Sequence, residues 1–175
     1  YLSARVPRSN CGDCGVKTVD VPWARPGSGF TLLFEALVMV MAKGMPVKSI
    51  AALLKEHDTR LWRVLDHYVQ ESRQGTDFSA LTEVGVDETS SKRGHNYVSL
   101  FVDLESSRVL FATEGKDAST LGRFKTDLEA HHGDPSSIRE ICCDMSPAFI
   151  KGVENHFPEA HLTFDKFHVL KILNE

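Results

Sequence analysis

Two aspartates stand where carboxylate chemistry can be built: Asp87 in Gly85-Val86-Asp87-Glu88 and Asp144 in Cys142-Cys143-Asp144-Met145-Ser146. Two carboxylates brought side by side repel, and holding them together is costly unless a cation binds between them. Oxygen donors select hard cations, Mg²⁺ or Mn²⁺, over thiophilic metals. Two such ions about 3.5 to 4 Å apart can activate water, grip a phosphate and stabilise the departing 3′ oxygen, which is the chemistry of phosphodiester cleavage. Taken singly, Asp144 also fits an ordinary Asp before a Ser-Pro helix start, and Asp87 a surface carboxylate beside Glu88. It is their pairing, in the right order of elements, that points to a site.

A second constellation is sulfur-based. Cys11-Gly12-Asp13-Cys14 has the spacing that lets two thiolates reach one zinc ion, with Gly15 where a knuckle turn needs it. A second Cys pair does not follow within the next ~15 to 20 residues. The first histidine is His57, so a Zn²⁺ site on Cys11 and Cys14 requires Cys residues upstream of Tyr1. A turn or a redox pair are the alternatives. Cys142-Cys143 lies in an apolar run and reads as two small buried residues of a strand.

The elements that must position these residues follow from periodicity. Residues 1–29 are rich in Pro, Gly, Arg and Ser. They read as a small ribbon with an alternating stretch at Thr18-Val19-Asp20-Val21, then a linker from Arg25 to Gly29, a segment that does not fold alone. Residues 30–74 carry three helical patterns: an apolar one over 31–42 stopped by Lys43-Gly44-Met45-Pro46, a second with Val47, Ile50, Ala51 and Leu54 in phase, and a third with Leu61, Val64, Leu65, Tyr68 and Val69. Asp58 or Thr59 is the expected N-cap of the third. Such a trio is a helix-turn-helix pattern, whose last helix enters the major groove with Arg60, Trp62, Arg63 and His67 outward. A plain three-helix bundle with solvated basic residues is the alternative.

From Leu81 the period becomes that of strands, over 83–89, 96–103 and 108–114, with turns at 92–94 and 104–107. A helix with Leu121, Phe124 and Leu128 on one face follows, then a strand over 138–144. Next come a helix opened by Ser146 and Pro147, a strand over 161–164 and a helix over 167–174. The predicted fold class is α/β: the order βββαβαβα over residues 80–175 gives a mixed sheet with helices on its faces, a ribonuclease-H-like layout. In it the first and fourth strands lie side by side, which brings Asp87 to Asp144.

Composition agrees with folded units: of 175 residues, 42% are hydrophobic and 25% charged. Apolar runs fall short of the ~18 residues needed to cross a bilayer, and no Lys/Arg-led leader opens the chain, so a cytoplasmic protein without membrane contact is expected. Net charge is uneven. Residues 1–74 hold 10 Lys/Arg against 7 Asp/Glu, whereas residues 75–175 hold 10 against 17. An acidic unit repels a polyanion unless cations neutralise it, which again suits a metal-dependent site.

These motifs together resemble the ISL3 family of bacterial insertion-sequence transposases. The resemblance rests on Gly85-Val86-Asp87-Glu88, Gly94-His95-Asn96-Tyr97-Val98, Cys143-Asp144-Met145-Ser146-Pro147 and Phe164-Asp165-Lys166-Phe167-His168-Val169. Cys11-x-x-Cys14-Gly15 and Val21-Pro22-Trp23-Ala24 resemble that family's zinc ribbon, and 30–74 its helix-turn-helix. The resemblance implies that Asp87 and Asp144 are the first two members of an Asp-Asp-Glu triad that cuts transposon ends and joins them to target DNA. Its third member lies beyond an insertion beginning near Phe167, with Glu175 too early. Asp165-x-x-His168 resembles a motif of related transposases whose His lies near the scissile strand, Asp165 being accessory; a capped helix start is the alternative. Double-stranded DNA, as terminal inverted repeats and target, and a second copy of the chain are the implied partners.

The tract from Tyr1 to Glu175 then reads as the front part of a transposase, with half a zinc site and two thirds of an acidic one. Two other classes fit parts of the sequence. A DNA-binding regulator with a non-catalytic second unit explains the helices but leaves the Asp87/Asp144 placement to chance. A structure-specific nuclease on the same fold would cut without joining. Histidines 95, 131, 132, 156 and 161 read as solvated loop or helix-end residues.

Overall fold

The computed structural model describes the backbone of residues 4–92 and 96–173. The chain divides into two compact units, Tyr1–Gly75 and Thr76–Glu175.

The first unit opens with a hairpin, β1 (Arg8–Cys11) and β2 (Gly15–Thr18), antiparallel with Cys11 opposite Gly15. The ribbon is thus built around the Cys-x-x-Cys turn, and the alternation at residues 18–21 contributes only Thr18 to a strand. Gly15 takes φ +73°, a conformation that a side chain would strain. Three helices follow: α1 (Leu32–Ala42), α2 (Val47–Leu54) and α3 (Asp58–Gln74). Thr31 caps α1, its Oγ1 accepting from Phe34 N at 3.2 Å. His57, not Asp58 or Thr59, occupies the N-cap of α3, because Asp58 already has helical backbone and accepts from Thr59 N at 2.7 Å. Val38, Ile50, Leu61 and Val64 close the core between the helices.

The turn between α2 and α3 stores strain. Lys55 ends α2 in the left-handed conformation, φ 53°, so that Glu56 N can reach Ala51 O at 3.0 Å. Lys55→Gly removes the Cβ penalty at the cost of a floppier unfolded chain, and should raise stability by about 0.5 to 1 kcal/mol in thermal or denaturant melts.

Residues 25–28, expected as a linker, are instead folded onto the helices. The reason is Glu35, the one charged residue of α1, whose side chain is fully buried. Arg25 Nη2 donates to its Oε1 at 3.0 Å, Tyr68 Oη to its Oε2 at 2.8 Å, and Ser28 Oγ also donates to Oε1. Trp23 O accepts from Leu32 N at 2.8 Å. A buried carboxylate must be satisfied, and these donors do so by pinning the approach to α1 and joining it to α3.

The second unit is a five-stranded sheet of order β5-β4-β3-β6-β7, formed by β3 (Glu83–Lys92), β4 (Asn96–Asp103), β5 (Arg108–Glu114), β6 (Glu140–Cys143) and β7 (His161–Phe164). β3, β4 and β5 are antiparallel neighbours, while β6 runs parallel to β3, and β7 to β6. Helices α4 (Ser119–Ala130), α5 (Pro147–His156) and α6 (Lys166–Leu173) complete the order βββαβαβα, the ribonuclease-H-like layout. The core lies between the sheet and α4 and α5: Val84, Val86, Ile141 and Cys143 meet Leu121, Phe124, Phe149 and Val153. Phe101 and Phe124 stack at 4.4 Å.

Some boundaries moved. β3 reaches Lys92 rather than residue 89, and the rest of the turn expected at 92–94 lies outside the described residues, as does His95. β6 starts at Glu140 rather than 138 because Asp134 caps a 3₁₀ turn, Pro135–Ser137, through Ser136 N at 2.9 Å, which delays the strand. His131 is not a solvated ring. Only 16% of its side chain is exposed; Nδ1 meets Asp127 O at 2.7 Å and the ring packs on Phe78.

Candidate active site and nucleic-acid interface

Sheet register assembles the acidic residues. Gly85 pairs with Cys142 across the parallel β3–β6 ladder, so two residues further along each strand Asp87 comes level with Asp144. Neighbours in register point to the same face, with strands about 4.8 Å apart. Val84, Val86, Ile141 and Cys143 face the helical core, so Asp87 and Asp144 fall on the opposite face, the first exposed and the second half-buried. The next strand continues the row. Cys143 pairs with Phe164, and Asp165 N donates to Cys143 O at 2.9 Å, which brings Asp165 level with Asp144. Three aspartates therefore stand level across three adjacent parallel strands, Asp87 within β3 and Asp144 and Asp165 just past the ends of β6 and β7.

Local hydrogen bonds hold each carboxylate. Asp87 Oδ1 accepts from Glu88 N at 2.8 Å, and Asp144 Oδ1 from Ser146 N at 3.0 Å. Ser146 holds the expected N-cap position of α5, yet it is Asp144 that supplies the bond through an Asx turn. Asp165 Oδ2 and His168 Nδ1 are 3.0 Å apart on the first turn of α6. A carboxylate on Nδ1 fixes the tautomer and aims Nε2 outward. Cys143 plays no acid–base part: burial, then the charges of Asp144 and Cys142, push its thiol up to about 12. Cys142, expected buried like its neighbour, is only half-buried because it shares the open face with Asp144.

Among the described residues no group of three or more His, Cys, Asp or Glu could hold a metal ion together. The pair Asp87/Asp144 nonetheless fits a hard divalent cation, since both carboxylates share a level, a face and access to solvent. Glu175 lies outside the described residues.

In the hairpin, Cys11 and Cys14 are free thiols at the two ends of the knuckle turn. Hydrogen bonding from the Cys14 side chain lowers the pKa of Cys11, and that same bond raises Cys14. Two thiols at the ends of one turn could supply at most two sulfur ligands.

On α3 the four outward candidates separate into two kinds. Trp62 and Arg63 are exposed. Arg60 is engaged: Nη1 lies 2.5 Å from Glu56 Oε2, and Cζ stands 4.2 Å over the Phe30 ring. His67 is half-buried, its ring edge-on to Tyr68 at 5.1 Å and Nε2 at 3.9 Å from Glu71. Sequence periodicity separates outer from inner positions but cannot show that Arg60 would fold back onto Phe30.

A three-helix unit followed by a mixed sheet of this order, with acids level on its central strands, defines a helix-turn-helix protein with a ribonuclease-H-like second unit. Comparison with known proteins carries the assignment further. A transposase family model matches residues 84–175, and the model for the helix-turn-helix domain of transposase family ISL3 matches residues 19–69. The chain belongs to the ISL3 family of transposases. It is 31% identical to the transposase for insertion sequence element IS1557 of Mycobacterium tuberculosis, over 97% of this chain and 38% of that protein. Similarity to the transposase for insertion sequence element IS1001 of Bordetella parapertussis is 29%, over 54% of this chain and 23% of that protein. The chain thus spans 38% of the length of the first of these relatives. Among solved structures, the HTLV-2 integrase catalytic core domain in complex with magnesium (dimeric form) is 16% identical, with a TM-score of 0.37, covering 54% of this chain and 65% of that one.

Proposed function

We propose that this chain supplies the DNA-binding unit and two of the catalytic carboxylates of a DNA transposase that cleaves and joins phosphodiesters at insertion-sequence ends. The observation that carries the reading is the register that sets Asp87 beside Asp144 on the open face of the sheet. Asp87 and Asp144 would hold Mg²⁺ or Mn²⁺. When bound, such ions supply Lewis-acid stabilisation of the phosphate and an activated nucleophile. The carboxylates themselves fix where the scissile phosphate can sit, over the middle of β3 and the C-terminal end of β6. His168, its Nδ1 held by Asp165, turns Nε2 outward, where it can donate to a backbone oxygen of the strand being cut. Product chemistry tests the reading: the transposase carrying this chain should join cleaved ends to a target duplex, whereas release of cut ends without joining would make it a nuclease.

DNA recognition falls to α3. Trp62 and Arg63 are its exposed contacts, with His67 and Arg60 flanking them. Arg63→Ala should weaken binding to the terminal inverted repeats about tenfold and lower the salt slope by about 1, as loss of one phosphate contact does. Arg60→Ala should also lower the melting temperature, because it removes the packing on Phe30 and the Glu56 pair. Salt-dependent binding isotherms and thermal melts on the two variants check the split; an unchanged Arg63→Ala isotherm would remove α3 from the interface.

Zn²⁺ would bind Cys11 and Cys14 only with further Cys ligands, and a half-site of two thiols is consistent with that. Two transposon ends must be held at once for joining, so a homodimer or larger assembly is proposed. Among the described residues no helix is long and apolar enough to cross a membrane. A cytoplasmic location at the nucleoid is proposed from the action on DNA.

A further inference from the structure

We propose that the outer face of α1 is the surface on which two copies of this chain pair, antiparallel about a two-fold axis. The inference deepens the homodimer proposed above and rests on that reading only for its expectation of two copies. α1 is apolar all round except for Glu35, and that residue is turned into the core. Glu35 and Val38 mark the inner side of the helix. Leu33, Ala36, Leu37 and Val40, spaced three and four apart, then form a stripe on the opposite side. All four are exposed, Leu33 by 82% and Val40 by 66%. An amphipathic surface helix turns charged and polar residues to water on that side, and the stripe has none. Trp23 and Met45, also exposed, stand at its two ends: Trp23 O accepts from Leu32 N at 2.8 Å, and Met45 N donates to Met41 O at 3.1 Å.

Chemistry and size select the occupant. A stripe without charge or hydrogen-bonding side chains takes an apolar face, because a polar partner would lose its water there and gain no bond in return. The same stripe on a second copy has the matching spacing. With the helices antiparallel and the axis passing between Ala36 and Leu37, Leu33 meets Val40 of the partner subunit, and the small Ala36 at the centre lets the two backbones approach. Antiparallel pairing also sets the helix dipoles head to tail. It keeps Lys43, the C-cap residue, away from Lys43 of the partner subunit, whereas parallel pairing would put the two side by side. The stripe with Leu32 and Trp23 exposes roughly 500 Å² of apolar side chain, so two copies bury about 1,000 Å², the lower bound for a specific interface. A contact at that bound is expected to be weak, with a Kd on the order of micromolar. Pairing leaves Trp62 and Arg63 of α3 open, since both point away from the core that α1 and α3 share.

The test is the mass of the 175-residue chain by sedimentation from about 1 to 300 µM, without DNA or metal and with a reductant that keeps Cys11 and Cys14 from cross-linking. Wild type should pass from monomer to dimer across that range. Leu33→Glu and Val40→Lys should each raise the concentration at the midpoint by at least about tenfold, because each buries an unpaired charge in the homodimer. Their melting temperatures at the dilute end should match wild type, since both side chains are exposed in the single chain. Mixed in equal amounts, the two variants should pair with each other: antiparallel packing sets the new carboxylate against the new ammonium and leaves Leu33 on Val40 at the other contact. A wild-type chain that stays monomeric throughout, a dimer that survives either substitution, or a mixture that does not pair would overturn the proposal. A monomer that still binds inverted-repeat DNA would remove this interface and leave the transposase reading standing.

Discussion

Asp87→Asn and Asp144→Asn should each lower strand cleavage and joining by roughly a thousandfold or more in the transposase that carries this chain, because the two are proposed to act as one unit and such residues lose nearly the whole effect when either is removed. Asparagine is the informative replacement. It removes the charge but keeps an Oδ1 to accept from Glu88 N at position 87 and from Ser146 N at position 144, so the local backbone of β3 and the α5 start are preserved. The chain itself gives a readout that does not depend on activity. At Mn²⁺ about a hundred times its Kd, wild type should gain about 2.7 kcal/mol of stability, and either variant should gain almost none. Without metal the variants should melt no lower than wild type, since one of two mutually repelling carboxylates has gone. Equal metal-induced shifts in wild type and both variants would reject the pair as the metal site.

Glu35→Ala should destabilise the first unit by about 3 kcal/mol, the scale on which breaking a buried ion pair acts. The loss has three sources: the half-buried Arg25 guanidinium loses its partner, the Tyr68 hydroxyl loses its acceptor, and the loop carrying Ser28 is released from α1. Chemical denaturation followed through Trp23 and Trp62 fluorescence measures it. The pH dependence has a definite sign. Burial raises the Glu35 pKa, but hydrogen bonds from Ser28, Tyr68 and Arg25 outweigh it and leave the group below its ordinary 4.5. A carboxylate with a depressed folded pKa adds stability above its unfolded value and loses it as pH falls through the folded one. Stability of the first unit should therefore fall below about pH 4.5 in wild type and fall less steeply in Glu35→Gln. A flat difference between the two from pH 7 to pH 3 would show that Glu35 is not held ionised.

The same residue shows where reading by periodicity stops. Phases of 3.6 and 2 located α1 to α3 and the strands within a few residues, because those periods report which side of an element meets the core. Glu35 sits in an apolar helix and its donors all lie outside that helix, 7 and 10 residues upstream at Ser28 and Arg25 and 33 downstream at Tyr68. Hence the stretch before α1 reads as a linker on composition and is a folded strap in space. Arg60 is a similar case. Its position on α3 is legible, but its use, packed on Phe30, is not.

Asp87 and Asp144 divide in the same way between the two sources. Sequence by itself determined the residue types, the order βββαβαβα and the family whose motifs surround them, since each depends on local pattern and short spacing. Only the tertiary structure decided that residue 87 comes level with residue 144 and then with Asp165, and that all three lie on the face opposite the helical core. Those facts depend on strand register and on which sheet face the helices cover. Alternation of Val84 and Val86, and of Ile141 and Cys143, marks which face of each strand is buried, but which residue of one strand stands level with which of the other is fixed only when the sheet forms.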